Sequence, residues 1–327
     1  MTVFALRTRD DLLAVHFAVS PVWETQAAVQ AVADRRARRY HRPWLQLVEA
    51  RAARLDLAPL LAVLSRRDYI PDFLTPPPRI PRPRIRDELA EIRATPAALV
   101  ARELERCHQT AKQEPHRRLL ARLLDDPERA RDQLAARLHE AWTTLVAPYW
   151  VRISTLLDRD IDDRSRTLTR HGLRRVLDQL HPKIRWTKRG LALSDHTGRT
   201  VEVGEPGFLL MPSAYLWPHV AVITDEPWLP TLVYPATGIA GLWQRPPAPH
   251  EALERLLGRT RAVVLAALDE PVSTAALAAQ IGLSPGGVSR HLIALRNAGL
   301  ASTARHGHEV RYRRTDIGTA LLQARRW

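Results

Sequence analysis

The stretch STAALAAQIGLSPGGVSRHLIALRNAGL, residues 273–300, decides how the C-terminal part of this chain folds. Ser273 and Thr274 offer side-chain oxygens as helix caps, and Leu277, Ala278 and Ile281 then fall on one side of a short helix. Gly282 stands where the chain must leave that helix left-handed, a conformation glycine reaches without steric cost. Ser284 and Pro285 open a second helix, the serine as cap and the proline with its φ already set for a first turn. Val288, Leu292 and Leu295 recur at helical spacing and turn inward, and Gly299 closes this helix as Gly282 closed the first.

Two short helices joined by such a turn make a helix-turn-helix. Ahead of it, Leu253, Leu256, Leu257, Val263, Val264 and Leu268 predict one amphipathic helix of about four turns, stopped by Asp269-Glu270-Pro271. Behind it, residues 300–305 read as a strand, His306-Gly307-His308 as a turn and residues 309–313 as a returning strand. Period-two alternation puts Val310 and Tyr312 on one face and Arg311 and Arg313 on the other. A last helix is expected over 315–325. The whole, residues 251–327, is expected to be a winged helix-turn-helix.

A helix of this kind fits the major groove of duplex DNA, its first turns nearest the base edges. The outward residues at the start of the second helix, 285–298, are Pro285, Gly286, Gly287, Ser289 and Arg290. The two glycines clear the way for close approach, although each costs roughly 1 kcal/mol of helix stability against alanine. Arg290 is the candidate for a bidentate contact to guanine, Ser289 suits a base or a phosphate, and Ser284 caps a helix start whose free N–H groups suit a phosphate. Arg305, His306, His308, Arg311 and Arg313 are expected to line the wing and hold the backbone or the minor groove. His291, beside Leu292, reads as half buried.

Charge supports this placement. The chain of 327 residues carries a net charge of +14, and 46 of its 49 cations are arginine, so the total alone says little about binding. Location says more. Residues 284–314 hold six arginines against one acid, whereas 251–283 and 315–327 together hold five of each, so the domain's surplus sits on the expected DNA face.

The front of the chain reads as mainly helical with a small antiparallel sheet: residues 1–182 mostly helix, 183–244 the sheet packed on it, and 245–250 (RPPAPH) a proline-rich linker. Residues 2–7 suggest an edge strand, 10–19 a short helix, Ser20-Pro21 the start of a basic helix to about Tyr40, and 44–54 another helix. Residues 71–83 (PDFLTPPPRIPRP) exclude helix and central strand, because proline lacks a donor and restricts its neighbour, and read as an extended strap. Several amphipathic helices follow over 87–180, then short apolar runs at 184–186, 191–193, 200–203, 208–211, 220–223 and 231–234.

The 273–300 stretch, with its GLSxxxVSRHLxxLxxAGL core, closely resembles the helix-turn-helix of the ArsR/SmtB family of winged-helix repressors. Leu257-Gly258-Arg259-Thr260-Arg261 looks like that family's first-helix signature, and Val310-Arg311-Tyr312 like its second wing strand. The resemblance implies a homodimer joined through the first and last helices of the domain, two recognition helices in successive major grooves, and an inverted-repeat operator in double-stranded DNA. In front, Pro71 to Pro78, Gly207 to Ser213 and Tyr234 to Gly238 resemble an uncharacterised domain fused ahead of such modules in actinobacterial regulators.

Other chemistries find little support. Metal-sensing members of the resembled family carry Cys-x-Cys or Asp, His and Glu ligands where this chain has neither, and Cys107 is the single cysteine, read as a small core residue. Asp158, Asp160, Asp162 and Asp163 begin like a calcium loop, but the sixth position is Asp163 and the twelfth Thr169, so they read as a helix face with local ion pairs. With no nucleophile elbow, phosphate loop or dinucleotide fingerprint, an enzyme and a cofactor are not expected. Trp142, Trp150, Trp186, Trp217, Trp228 and Trp243 can line a pocket for an unknown small-molecule effector or serve as ordinary core. No run is apolar enough for a membrane span, and the protein reads as cytoplasmic. The competing reading of the winged helix is a protein- or RNA-binding module.

Overall fold

The computed structural model of the chain describes residues 2–6, 14–33, 38–64, 69–187, 190–194, 199–204, 207–243, 251–306 and 309–323. It is mainly helical with small sheets and divides into two compact units. The first comprises Met1–Tyr149 and Leu156–Ile239, the second Trp150–Thr155 and Ala240–Trp327. The expected linker, 245–250, lies outside the described residues.

In the first unit, β1 (Thr2–Ala5) is not an edge strand. It pairs antiparallel with β4 (Gly190–Leu193) and parallel with β5 (Thr200–Glu202), β3 (Ile184–Thr187) completing the order β3-β4-β1-β5. Burial of all four β1 residues accounts for that central place. The helix expected over 10–19 gives way, where the structure describes it, to β2 (Val15–Phe17). This strand lies parallel to β6 (Phe208–Ser213) in a second sheet, order β2-β6-β8-β7, with β8 (Thr231–Pro235) and β7 (Ala221–Ile223). Every residue of β6 and β8 is buried, because each side of the second sheet is covered. Phe208, Leu210, Leu232 and Tyr234 pack towards the first sheet, with Phe4 and Phe208 rings 4.7 Å apart, while Leu209, Met211 and Val233 pack with Trp23. Parallel neighbours buried on two faces read as continuous apolar runs, and the two sheets are mixed rather than purely antiparallel.

Trp23 lies on α1 (Pro21–Ala33), which opens as Ser20-Pro21 predicts: the Trp23 N–H donates to Ser20 Oγ at 2.9 Å. Helix α2 (Arg38–Ala52) carries Pro43 inside it, and α3 (Ala58–Val63) follows. The prolyl strap begins with a 3₁₀ turn, Asp72–Leu74, and residues 71–78 are buried, so it is a packed loop. Helices α4 (Ile85–Ala94), α5 (Ala97–Thr110), α6 (Glu114–Leu124), α7 (Pro127–Ala141), α8 (Trp150–His171) and α9 (Leu173–Asp178) fill the expected helical stretch. Cys107 is buried on α5.

The aspartates of α8 do more than pair locally. Asp160 is 1% exposed and accepts from Tyr234 Oη at 2.8 Å and Thr237 N at 2.9 Å, with Arg164 at 3.5 Å. Asp158 pairs with Arg82 at 2.9 Å and Asp163 with Arg166. A buried carboxylate needs such partners, and here they tie α8 to β8 and to the residues just after it.

Candidate nucleic-acid interface

The second unit is built around α12 (Thr274–Ile281) and α13 (Pro285–Asn297). The Ala276 N–H donates to Ser273 Oγ, and the Gly287 N–H to Ser284 Oγ, each at 3.3 Å, so both serines cap as the sequence predicts. Gly282 ends α12 at φ 72°, ψ 32°, and the Leu283 N–H reaches back to the Ala278 carbonyl at 3.0 Å. Val288 and Leu292 are fully buried and Leu295 is 1% exposed, packed with Val264, Leu265, Leu268, Leu277 and Tyr312. This inward anchoring fixes which side of α13 faces out.

Two features differ from expectation. The single four-turn helix is instead α10 (Glu251–Leu257) and α11 (Arg259–Ala266), broken at Gly258, whose φ of 82° no helix interior accommodates. And the wing strands, β10 (Ala301–His306) and β11 (Glu309–Arg314), have a third partner: β9 (Val272–Ser273) pairs antiparallel with β11, Ser273 opposite Arg311 and Val272 opposite Tyr312. Helix α14 (Asp316–Gln323) follows.

On the outward side of α13, Ser284, Pro285, Gly286 and Arg290 are exposed, and Gly287 and Ser289 half-buried. A Cβ on Gly286 would meet nothing within 4 Å, so the helix start presents a bare flank to solvent. His291 is half-buried, as expected. Arg305 and Arg313 are exposed on the wing. His306 ends β10, and His308 lies outside the described residues.

Arg311, expected to be open like Arg313, is buried instead. It is 6% exposed, at the centre of the three-stranded sheet, with Glu309 3.6 Å away. Alternation separates Arg311 from Tyr312, but it does not show that Arg311 sits mid-strand between two neighbours, opposite Ala304 of β10 and Ser273 of β9. Arg314 is likewise internal: its guanidinium reaches Asp269 at 2.5 Å, Thr319 at 3.1 Å and the Leu265 carbonyl at 3.3 Å, tying α11 to α14. Among the described residues, the arginines of 284–314 that remain open are Arg290, Arg296, Arg305 and Arg313. Arg296, exposed in the last turn of α13, was counted in the basic stretch without being assigned a contact.

A capped second helix packed behind a tight turn, with a hairpin beside it, is the geometry of a helix-turn-helix with its wing, a fold whose second helix commonly enters the DNA major groove. Residues 256–303 match the helix-turn-helix domain family. This chain carries the helix-turn-helix of a DNA-binding regulator. The match spans the end of α10 to the first residues of β10, so the returning wing strand and α14 of this winged helix-turn-helix stand on the structure. Residues 87–240 match a family of unknown function (DUF5937), beginning within α4, although β1, β2 and α1 belong to the same compact unit. No curated protein and no solved structure matches the chain. Among the described residues, no helix is long and apolar enough to cross a membrane.

Trp186 packs at the edge of the core between the sheets and Trp228 at the core beside Trp23, while Trp150 and Trp243 fall in the second unit.

Proposed function

We propose that this regulator is a sequence-specific transcriptional repressor of ArsR type that binds an inverted-repeat operator as a homodimer. The observation that carries the reading is the exposed start of α13, where a capped helix offers Gly286 and Arg290 to solvent while Val288, Leu292 and Leu295 lock its orientation. In this reading Arg290 and Ser289 meet base edges, Ser284 and the free N–H groups beside it hold a phosphate, and Arg305 and Arg313 secure the wing on the sugar–phosphate backbone. Arg311 is left to the domain's own packing. Leu256 and Ile317, 69% and 67% exposed on α10 and α14, are the apolar side chains that a second copy would cover. The first unit serves dimerisation or effector sensing, and no enzymatic role is assigned to it.

Selection of bound duplexes from a random pool, followed by titration of the enriched site at several salt concentrations, tests this reading. A palindromic site bound by two chains, with affinity falling steeply as salt rises, is the expected result. Equal affinity for the enriched and the starting pool removes sequence-specific regulation.

A further inference from the structure

Three arginines of the first unit converge on one turn. Arg106 Nη1, from α5, lies 2.5 Å from Asp225 Oδ2, and Arg199, just before β5, pairs with Asp225 Oδ1. Arg102, one turn earlier on α5, donates to the Glu226 carbonyl at 3.2 Å. The turn closes with the Trp228 N–H on the Asp225 carbonyl at 3.0 Å, and Trp228 Nε1 donates to the buried Glu103 at 3.0 Å. These groups line a cleft of about 1360 Å³, with Trp228 and Leu229 as its apolar wall and Tyr69 stacked against Arg106, 4.0 Å from guanidinium to ring.

Two facts separate this cluster from a plain structural clamp. The Arg106 and Arg199 side chains are still 52% and 48% exposed, and each has five donors, of which Asp225 takes few. Burial, with Glu103 and Asp225 beside it, holds the nearby Asp72 carboxyl above the usual carboxylate range, against the opposing effect of Arg106 and Arg199. Asp225 itself is kept below its ordinary value by hydrogen bonds from Arg199 and Arg106, against the opposing effect of partial burial. The arginine pair thus already grips a carboxylate, one oxygen to each guanidinium, at the edge of an open cleft.

We propose that this cleft is a binding site for a monocarboxylate with a flat apolar body, and that Asp225 occupies it as a tethered stand-in which the ligand displaces. Glu105 and Glu226 on the cleft walls oppose a polyanion, which is why a single carboxylate rather than a phosphate ester fits. Displacement frees the Asp225–Trp228 turn, so the ring of Trp228 reports it. That the ligand tunes DNA binding rests on the regulator reading above; the site itself does not.

The test titrates the full chain with benzoate, benzamide and benzamidinium, which differ mainly in charge, by tryptophan emission and calorimetry. Benzoate is expected to bind about tenfold or more tighter than benzamide, the weight of a charge-assisted hydrogen bond. Asp225→Asn should tighten benzoate about tenfold by weakening the internal competitor, and Arg199→Gln should remove the preference over benzamide. Circular dichroism melting checks each variant, and Arg199→Lys, which keeps charge but loses the planar fork, stands in if the glutamine variant does not fold. Equal binding of benzoate and benzamide, or benzoate affinity unmoved by Asp225→Asn, overturns the site. Benzoate binding with no change in affinity for the selected duplex keeps the site and overturns its effector role, whereas a chain that binds no DNA fails the regulator reading alone.

Discussion

Ser284 Oγ accepts the Gly287 N–H at 3.3 Å, so the residue that caps α13 is held by one of the two glycines that clear its outer face. Cap and cleared flank are thus one local device. Replacing Ser284 with alanine is expected to cost about 1 kcal/mol of domain stability. Chemical denaturation of the full chain, followed in the transition of the second unit, measures it.

Gly286 separates stability from contact. Gly286→Ala places a methyl in open space and should stabilise the helix by about 0.5–1 kcal/mol. If that flank lies against base edges, the same change weakens operator binding. A variant that melts higher and binds DNA more weakly is the expected outcome; melting curves and anisotropy titrations on one preparation supply both numbers.

The arginines are expected to divide by role. Arg290→Ala should weaken the selected site by about 1–3 kcal/mol while leaving random DNA nearly unchanged. Arg313→Ala or Arg305→Ala should weaken all sequences alike and lower the salt slope by about one. Arg311→Ala, by contrast, should show first as lost stability, because its side chain is only 6% exposed. Parallel salt titrations of the four variants distinguish these patterns.

Tyr234→Phe deletes the hydroxyl that Asp160 accepts at 2.8 Å. The carboxylate is 1% exposed and keeps Thr237 and Arg164, so the expected loss is about 1–3 kcal/mol, confined to the first unit. Hydrogen exchange across 156–178 and 231–239 reports where protection falls.

Buried Glu88 gives the first unit a pH dependence. Burial raises its pKa to about 8, against the opposing hydrogen bonds from Ser20 and Val22, and burial likewise brings Glu24 to about 7. Both exceed the unfolded value, so between about pH 4.5 and 8 the folded chain holds protons that the unfolded chain has released. Stability from these groups is therefore fullest below that window and falls as pH rises through it. Glu88→Gln should flatten the decline in melting temperature between pH 5 and 8, as a thermal-melt series would record.

What the sequence made legible was local and repeated. Ser284-Pro285, Gly282 and Gly299 announce helix ends through chemistry that acts within a few residues, and Val288, Leu292 and Leu295 orient α13 by spacing alone. What it hid depends on distant partners. Nothing in Thr2–Ala5 tells that β4 and β5 flank it, and the two-residue β9 is too short to leave a period. Arg311 shows the same limit within the site: alternation separates it from Tyr312, but only the fold shows that it sits mid-strand between two neighbours. Gly258 was visible as a residue, yet the apolar spacing on both sides continues across the break.

The direct measurement is methylation protection of guanine N7 in the selected operator, with the wild-type chain and with Arg290→Ala. One or more guanines in each half-site should be shielded in the major groove by the wild type and re-exposed in the variant, with wing-side backbone contacts retained. A pattern of shielding unchanged by the loss of Arg290, or confined to the minor groove, would contradict it.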